Sequence, residues 1–231
     1  MTAPIHLKPT ATLAERVLLP GDPGRALLLA QSLLEAPKMF NHNRGLWGYT
    51  GVADDGAPLT IQSTGMGGPS AAIVISELAQ LGARRLVRVG TCGALDDSLV
   101  LGELLIATEA LARDGTSVAL GADGRVPASP ELLAALTAAG SGARSGPVAS
   151  TDLFYEHRGD PEREWLAAGA LAVEMESATL FALAARRGLH AASALIVTDV
   201  ILPSRVRIDD ERLHEAEHRL GELAVHGLPP Q

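Results

Sequence analysis

The chain has 231 residues, 47% of them hydrophobic, and a formal net charge of −8, so it can bury a sizeable core and has no overall basic footprint for nucleic acid. Aromatic residues make up only 3%, too few for a base-stacking surface, and one cysteine, Cys92, excludes an internal disulfide framework. No run of about eighteen apolar residues occurs, and the amino-terminal MTAPIHLKP lacks an apolar signal core. These features lead us to expect a cytoplasmic protein with no nucleic-acid or membrane partner.

Residues 1–16 read as an irregular arm with little to bury, with His6 between Ile5 and Leu7. Val17 to Leu19 is a short apolar strand, broken by PGDPGR (Pro20 to Arg25), and Ala26 to Leu34 then read as a helix. A strand, a glycine turn and a helix in succession point backbone N–H groups at an anion. Arg25 falls in the first helical turn, where a cation opposes the helix dipole, so a functional reason for it gains weight. Met39–Phe40 and Leu46–Val52 are strand-like and flank NHNRG, with Arg44 exposed between them. Asp54 to Gly56 is a hairpin-type turn, and Leu59 to Ser63 is the return strand. TGMGGPS, Thr64 to Ser70, is a second glycine turn, opening a helix from Pro69 to about Leu81.

Arg84 to Leu95, RRLVRVGTCGAL, is the third such unit. Leu86, Val87 and Val89 form the centre of a strand buried on both faces, and Gly90, Thr91, Cys92 and Gly93 stop it. Arg88 sits inside the apolar run. It is either a buried arginine satisfied by a carboxylate or a cation aimed past the strand end at an anion. In the second case alanine at 88 should steeply raise the concentration of the anion that is required and leave the fold intact. Glu103 to Ala112 is another strand, followed by a Gly/Pro/Ser-rich connection through Pro130 and a helix from Glu131 to Ala139. Pro147 to Ser150 leads into the loop TDLFY. Glu162 to Ala168 is a short helix, Ala170 to Val173 a strand, and VEMESATLFALAARRG passes into a helix closed by Gly188. Ala192 to Thr198 is the final buried strand with Asp199 at its end. Asp209 and Asp210 open a last helix with Leu213, Leu220 and Leu223 on one face.

The alternation predicts one α/β domain over residues 1–231 with a largely parallel or mixed sheet. Glycine turns or charged groups stand at several strand ends, where ligands of such sheets bind: Gly21/Asp22, Gly65–Gly68, Gly90–Gly93, Glu174–Glu176 and Asp199. No GxGxxG follows a strand, no GK(S/T) is present, no GxSxG elbow occurs, and no metal site is expected from the seven histidines.

GDPGR, TGMGGPS, RVGTCGA and VEMESA, in that order and spacing, resemble the nucleoside phosphorylase family, in its hexameric bacterial purine nucleoside phosphorylase and uridine phosphorylase branch. The similarity runs from Ile5-His6-Leu7 to the last helix. It implies a three-layer fold around a distorted mixed sheet and phosphate-dependent cleavage of an N-glycosidic bond, with phosphate as co-substrate and no metal or organic cofactor. By the resemblance, phosphate is held by Arg25, Arg44 and Arg88 with Gly21 N–H and Thr91, a use suited to guanidinium geometry. Ribose would meet His6, Met66, Glu174, Met175 and Glu176, the last taking the 2′- and 3′-hydroxyls on its two acceptor oxygens. Phe154, Cys92, Gly93 and Val173 would flank the base. Asp199 would be the general acid, with Arg212 assisting. His6 and Arg44 would come from a neighbouring subunit of a homohexamer built as a trimer of dimers.

A uridine phosphorylase and a hydrolytic nucleosidase on the same fold are the alternatives, and a nucleoside-sensing module is a third. The full arginine set argues against hydrolysis. After Phe154–Tyr155 the uridine enzymes carry a glutamine-x-arginine pair, whereas here EHRGDP follows. Thr198–Asp199 resembles the serine–aspartate of the purine enzymes. Purine nucleosides are therefore expected, with inosine, guanosine and adenosine left open because His157, Arg158 or Asp160 could reshape the base pocket.

Overall fold

Short apolar runs, the central ones buried on both faces, alternate with helical stretches and fold into a mixed α/β protein. The computed structural model describes residues 3–155 and 159–230. His157 and Arg158 lie outside the described residues. The elements in order are β1 (Arg16–Leu19), α1 (Pro23–Leu33), β2 (Glu35–Asn41), β3 (Gly48–Val52), β4 (Pro58–Gln62), α2 (Gly68–Leu81), β5 (Arg85–Ala94), β6 (Leu104–Arg113) and α3 (Gly115–Ala119). They continue with β7 (Arg125–Pro127), α4 (Pro130–Ala139), β8 (Arg144–Thr151), α5 (Pro161–Ala167), β9 (Ala172–Glu174), α6 (Ser177–Arg187), β10 (His190–Val200), β11 (Val206–Arg207) and α7 (Asp210–His226).

The sheet is mixed, as expected, and its distortion has a definite form. β5 pairs in parallel with β1 and β10 and antiparallel with β9. β10 pairs with β6, β6 with β8, and β8 with β9. Five strands thus close on one another, while β1, β4, β3 and β2 extend from β5 as an open wing. Alternation along β5 and β10 sends side chains into two apolar layers. Leu86, Leu195 and Val197 pack with Val74 and Leu78 of α2 and Phe181 of α6. Val87, Val89, Ala194 and Ile196 pack with Leu29 of α1, Leu136 of α4 and Leu220 of α7. These are the three layers.

Four segments differ from expectation. Gly90, Thr91, Cys92 and Gly93 do not stop the strand, because β5 runs on through them to Ala94, held by its pairing with β10. The amino-terminal arm is bound down. Leu7 is buried, and the Glu77 carboxylate of α2 accepts the backbone N–H groups of Ile5, His6 and Leu7 at 2.7–3.1 Å. The connection after β6 holds α3 and β7 rather than a plain loop. α1 starts at Pro23, because Asp22 caps it by accepting from Gly24 N–H and Arg25 N–H. No helix among the described residues is long and apolar enough to cross a membrane.

Candidate active site

A cleft of about 600 Å³ opens where β1, β5, β9 and β10 end. Most of the residues singled out in the sequence line it: Gly21, Arg25, Met66, Arg88, Thr91, Cys92 and Gly93, with Phe154, Val173, Glu174, Met175, Glu176 and Asp199. A larger groove of about 840 Å³ lies at the opposite strand ends, near Arg16 and Arg85. It contains none of them, and ligands of open α/β sheets bind beyond the carboxyl ends.

Arg88 is the centre of the cleft's charge. Its side chain is buried, and the first alternative read in the sequence holds: carboxylates satisfy it. Nε donates to Glu174 Oε2 at 2.9 Å and Nη2 pairs with Glu176 Oε2 at 2.5 Å. The attraction of the two carboxylates outweighs burial and holds the guanidinium pKa above its usual value. Nη1 remains, on the side of Gly21. The guanidinium lies along the strand over Gly90, where a Cβ would stand 2.6 Å from its central carbon. The glycine is therefore the space that the arginine occupies. Gly93 serves a second close approach, since its missing Cβ makes room for Ile201.

Glu174 is fully engaged. Beyond Arg88 it accepts from Ser150 Oγ and from the backbone N–H groups of Glu176 and Ser177, at 2.9 and 3.0 Å for the latter two. Its part in this structure is to set Arg88 and the start of α6. Glu176 accepts Gly67 N–H at 2.5 Å, and burial pushes its carboxyl pKa up against the pull of Arg88. Arg25 is held by Glu217 of α7, Nε to Oε1 at 2.8 Å. That contact leaves the two terminal nitrogens of its fork, the pair suited to two oxygens of one phosphate.

Asp199 is buried and faces the cleft from a β-bulge. The β10–β5 register runs Val197↔Cys92 and then Asp199↔Gly93, so one extra residue on β10 turns the aspartate inward. Thr198 Oγ1 donates to Asp199 Oδ2 at 2.9 Å, fixing one oxygen and leaving the other. Cys92 is a buried wall residue with its sulfur 3.6 Å from Ile196 O. Burial pushes its thiol pKa up, so it is no nucleophile. Phe154 stands half exposed at the mouth, edge-on to Tyr155 with centroids 4.7 Å apart.

Three predicted residues lie outside the cleft lining. Arg212 donates to Leu101 O at 2.8 Å. His6 pairs with Glu77, Nδ1 to Oε1 at 2.8 Å. Arg44 is exposed in a turn with φ 60°, a backbone region unusual for a non-glycine residue. Asn43 Nδ2 donates to His6 O at 2.7 Å, so the His6 and Arg44 segments are fastened side by side.

Sequence reasoning missed Trp165, Arg205, Arg207 and Glu217, all on the cleft wall. Each sits in a stretch without glycine turns. Only the charge of the arginines within an otherwise apolar VILPSRVRI could have marked them.

An α/β enzyme with anchored guanidinium groups and carboxylates gathered past its strand ends is the class that this fold and cleft define. The sequence matches the phosphorylase superfamily profile over residues 15–226, and the chain belongs to that superfamily, as an enzyme of nucleoside phosphorylase type. It is 37% identical over 207 residues to a protein of Caldanaerobacter subterraneus subsp. tengcongensis named purine nucleoside phosphorylase DeoD-type, covering 87% of this chain and 89% of the relative. Proteins of the same name from Clostridium beijerinckii and Geobacillus kaustophilus are 36% and 38% identical. The first match covers 90% of this chain and 91% of the relative, and the second covers 88% of each.

Proposed function

We propose that the chain is a purine nucleoside phosphorylase. It cleaves the N-glycosidic bond of ribo- or deoxyribonucleosides with inorganic phosphate, releasing free base and pentose 1-phosphate, and uses no metal or organic cofactor. The supporting observation is the pair of guanidinium groups, Arg25 and Arg88, each anchored by carboxylates in the cleft that also holds Asp199. Gly21 N–H and Thr91 complete the cradle. A phosphate oxygen attacks C1′ from the cradle side as the C1′–N9 bond breaks, and the bonding electrons pass to the base. Asp199 supplies a proton at N7, which neutralises the departing purine. Glu176 accepts from the ribose hydroxyls, while Met66, Met175 and Val173 bound the sugar and base. The DeoD-type names of the relatives support the purine assignment.

The test is a panel of inosine, guanosine, adenosine and uridine, each with and without phosphate. Purine release that requires phosphate is the expected result. Phosphate-independent release, or uridine as the best substrate, would overturn the reading.

The same proposal includes a homohexamer, a trimer of dimers, in which His6 and Arg44 complete a neighbour's cleft. Supporting it, both residues stand off their own cleft and are joined through Asn43. Arg44→Ala and Asp199→Asn, each inactive by itself, should regain about a quarter of wild-type activity when co-expressed, because mixed dimers carry one intact site. No regain in co-purified mixed assemblies, or a fully active monomer by light scattering, would exclude shared sites.

A further inference from the structure

β11 brings two arginines to the base end of the cleft. It pairs antiparallel with β10 in the register Asp199↔Arg207 and Val200↔Val206. Residues two apart share a face, so Asp199 and Ile201 on one strand and Arg205 and Arg207 on the other form one surface. The cleft lining confirms this. All four line it, while Val200 and Val206 do not, and Val206 is exposed on the outer side. Directly opposed residues of an antiparallel pair stand about 5 Å apart at Cβ, so Arg207 flanks Asp199. The Arg205 guanidinium lies 4.7 Å from the Phe154 ring centroid. This cation–π contact holds its planar fork at the mouth. Among the described residues neither guanidinium donates a hydrogen bond to a carboxylate or carbonyl.

We propose that Arg205 and Arg207 read the exocyclic group at C6 of the base, so that the cleft prefers 6-oxopurine nucleosides over 6-aminopurine ones. This rests on the purine reading above, in which Asp199 meets N7. The C6 substituent adjoins N7 on the same edge. Guanine and hypoxanthine present two acceptors there, N7 and O6, whereas adenine presents the N7 acceptor beside an amino donor. Arginine only donates. It complements O6 and opposes the adenine amino group donor to donor. A site furnished for a specific hydrogen bond discriminates against the analogue that cannot form it. For arginines at an open mouth, the preference should be on the order of 10- to 100-fold in kcat/KM.

The experiment measures kcat/KM for inosine, guanosine, adenosine and uridine at saturating phosphate. The proteins are wild type, Arg205→Ala, Arg207→Ala, the double variant and Val206→Ala. Wild type should favour inosine and guanosine over adenosine by at least about 10-fold. The double variant should bring the ratio to within about threefold of unity, and Val206→Ala, on the opposite face of the same strand, should keep it. Equal wild-type turnover of oxo- and aminopurines, or a ratio that survives in the double variant, overturns the proposal while leaving the purine reading intact. A ratio that also collapses in Val206→Ala overturns it in favour of a merely structural hairpin. Uridine as the best wild-type substrate removes the purine reading itself.

Discussion

Alanine in place of Arg88 is expected to lower phosphate-dependent turnover by about 10²–10³-fold or more and also to destabilise the protein. The sequence suggested that only the first effect would appear. The structure adds the second, because Arg88 is buried between Glu174 and Glu176, and removing it leaves two adjacent buried carboxylates without a counter-ion. Breaking a buried pair in this way costs about 3–5 kcal/mol. The loss should depend on pH with a definite sign. Burial already pushes the Glu176 carboxyl pKa up while Arg88 pulls it down, so without Arg88 the folded-state pKa rises further above the unfolded one. The native variant then binds more protons than its unfolded chain, and its stability falls as pH rises through and above the ordinary glutamate range. Urea unfolding of wild type and Arg88→Ala between pH 5 and pH 8 measures this, and a stability gap that narrows towards pH 8 would contradict it. The double variant Arg88→Ala/Glu176→Gln separates the two roles. It should recover part of the stability and none of the phosphate-dependent activity. Recovered activity there would remove Arg88 from the cradle.

Much of this site is legible in the chain because it is local. The turn at Gly21 directly follows an apolar strand, and Arg88, inside a strand buried on both faces, can point only towards one layer. The register then requires a residue without a side chain at 90. Asp199 is legible as a strand end, but the bulge that turns it inward depends on its pairing with β5, which no local pattern announces. The closure of β10 through β6, β8 and β9 to β5 joins segments about a hundred residues apart, and the alternation of helices and strands is the same with or without it. Glu217 meets Arg25 across 192 positions, and from the sequence it is one more acid on an amphipathic helix. β11 contributes only two paired residues, too few for a periodic signal. The arm misread as having little to bury is explained by Glu77. A glutamate inside an apolar helix gains its partners from Ile5, His6 and Leu7, some seventy residues away.

Asp199→Asn is expected to reduce phosphorolysis of inosine by about 10²–10⁴-fold, the usual contribution of a positioned general acid, with little change in stability or in the KM for phosphate. The side chain is buried, and its described hydrogen-bond partner is the Thr198 hydroxyl, which an asparagine amide oxygen also accepts. The shape and the Thr198 contact therefore survive while the transferable proton is lost. In the proposed mechanism phosphate is held at the opposite side of the cleft by Arg25 and Arg88, whose anchoring carboxylates Glu217, Glu174 and Glu176 are untouched by the change, so the defect should fall on kcat. Leaving-group chemistry supplies the decisive comparison. In 7-methylguanosine the imidazole ring already carries a positive charge, and the base departs neutral without any proton at N7. A variant that lacks only the proton donor should process this nucleoside nearly as well as wild type while failing on inosine. If both substrates lose activity equally, Asp199 positions the base rather than protonating it. If inosine turnover is unchanged, the acid catalyst lies elsewhere.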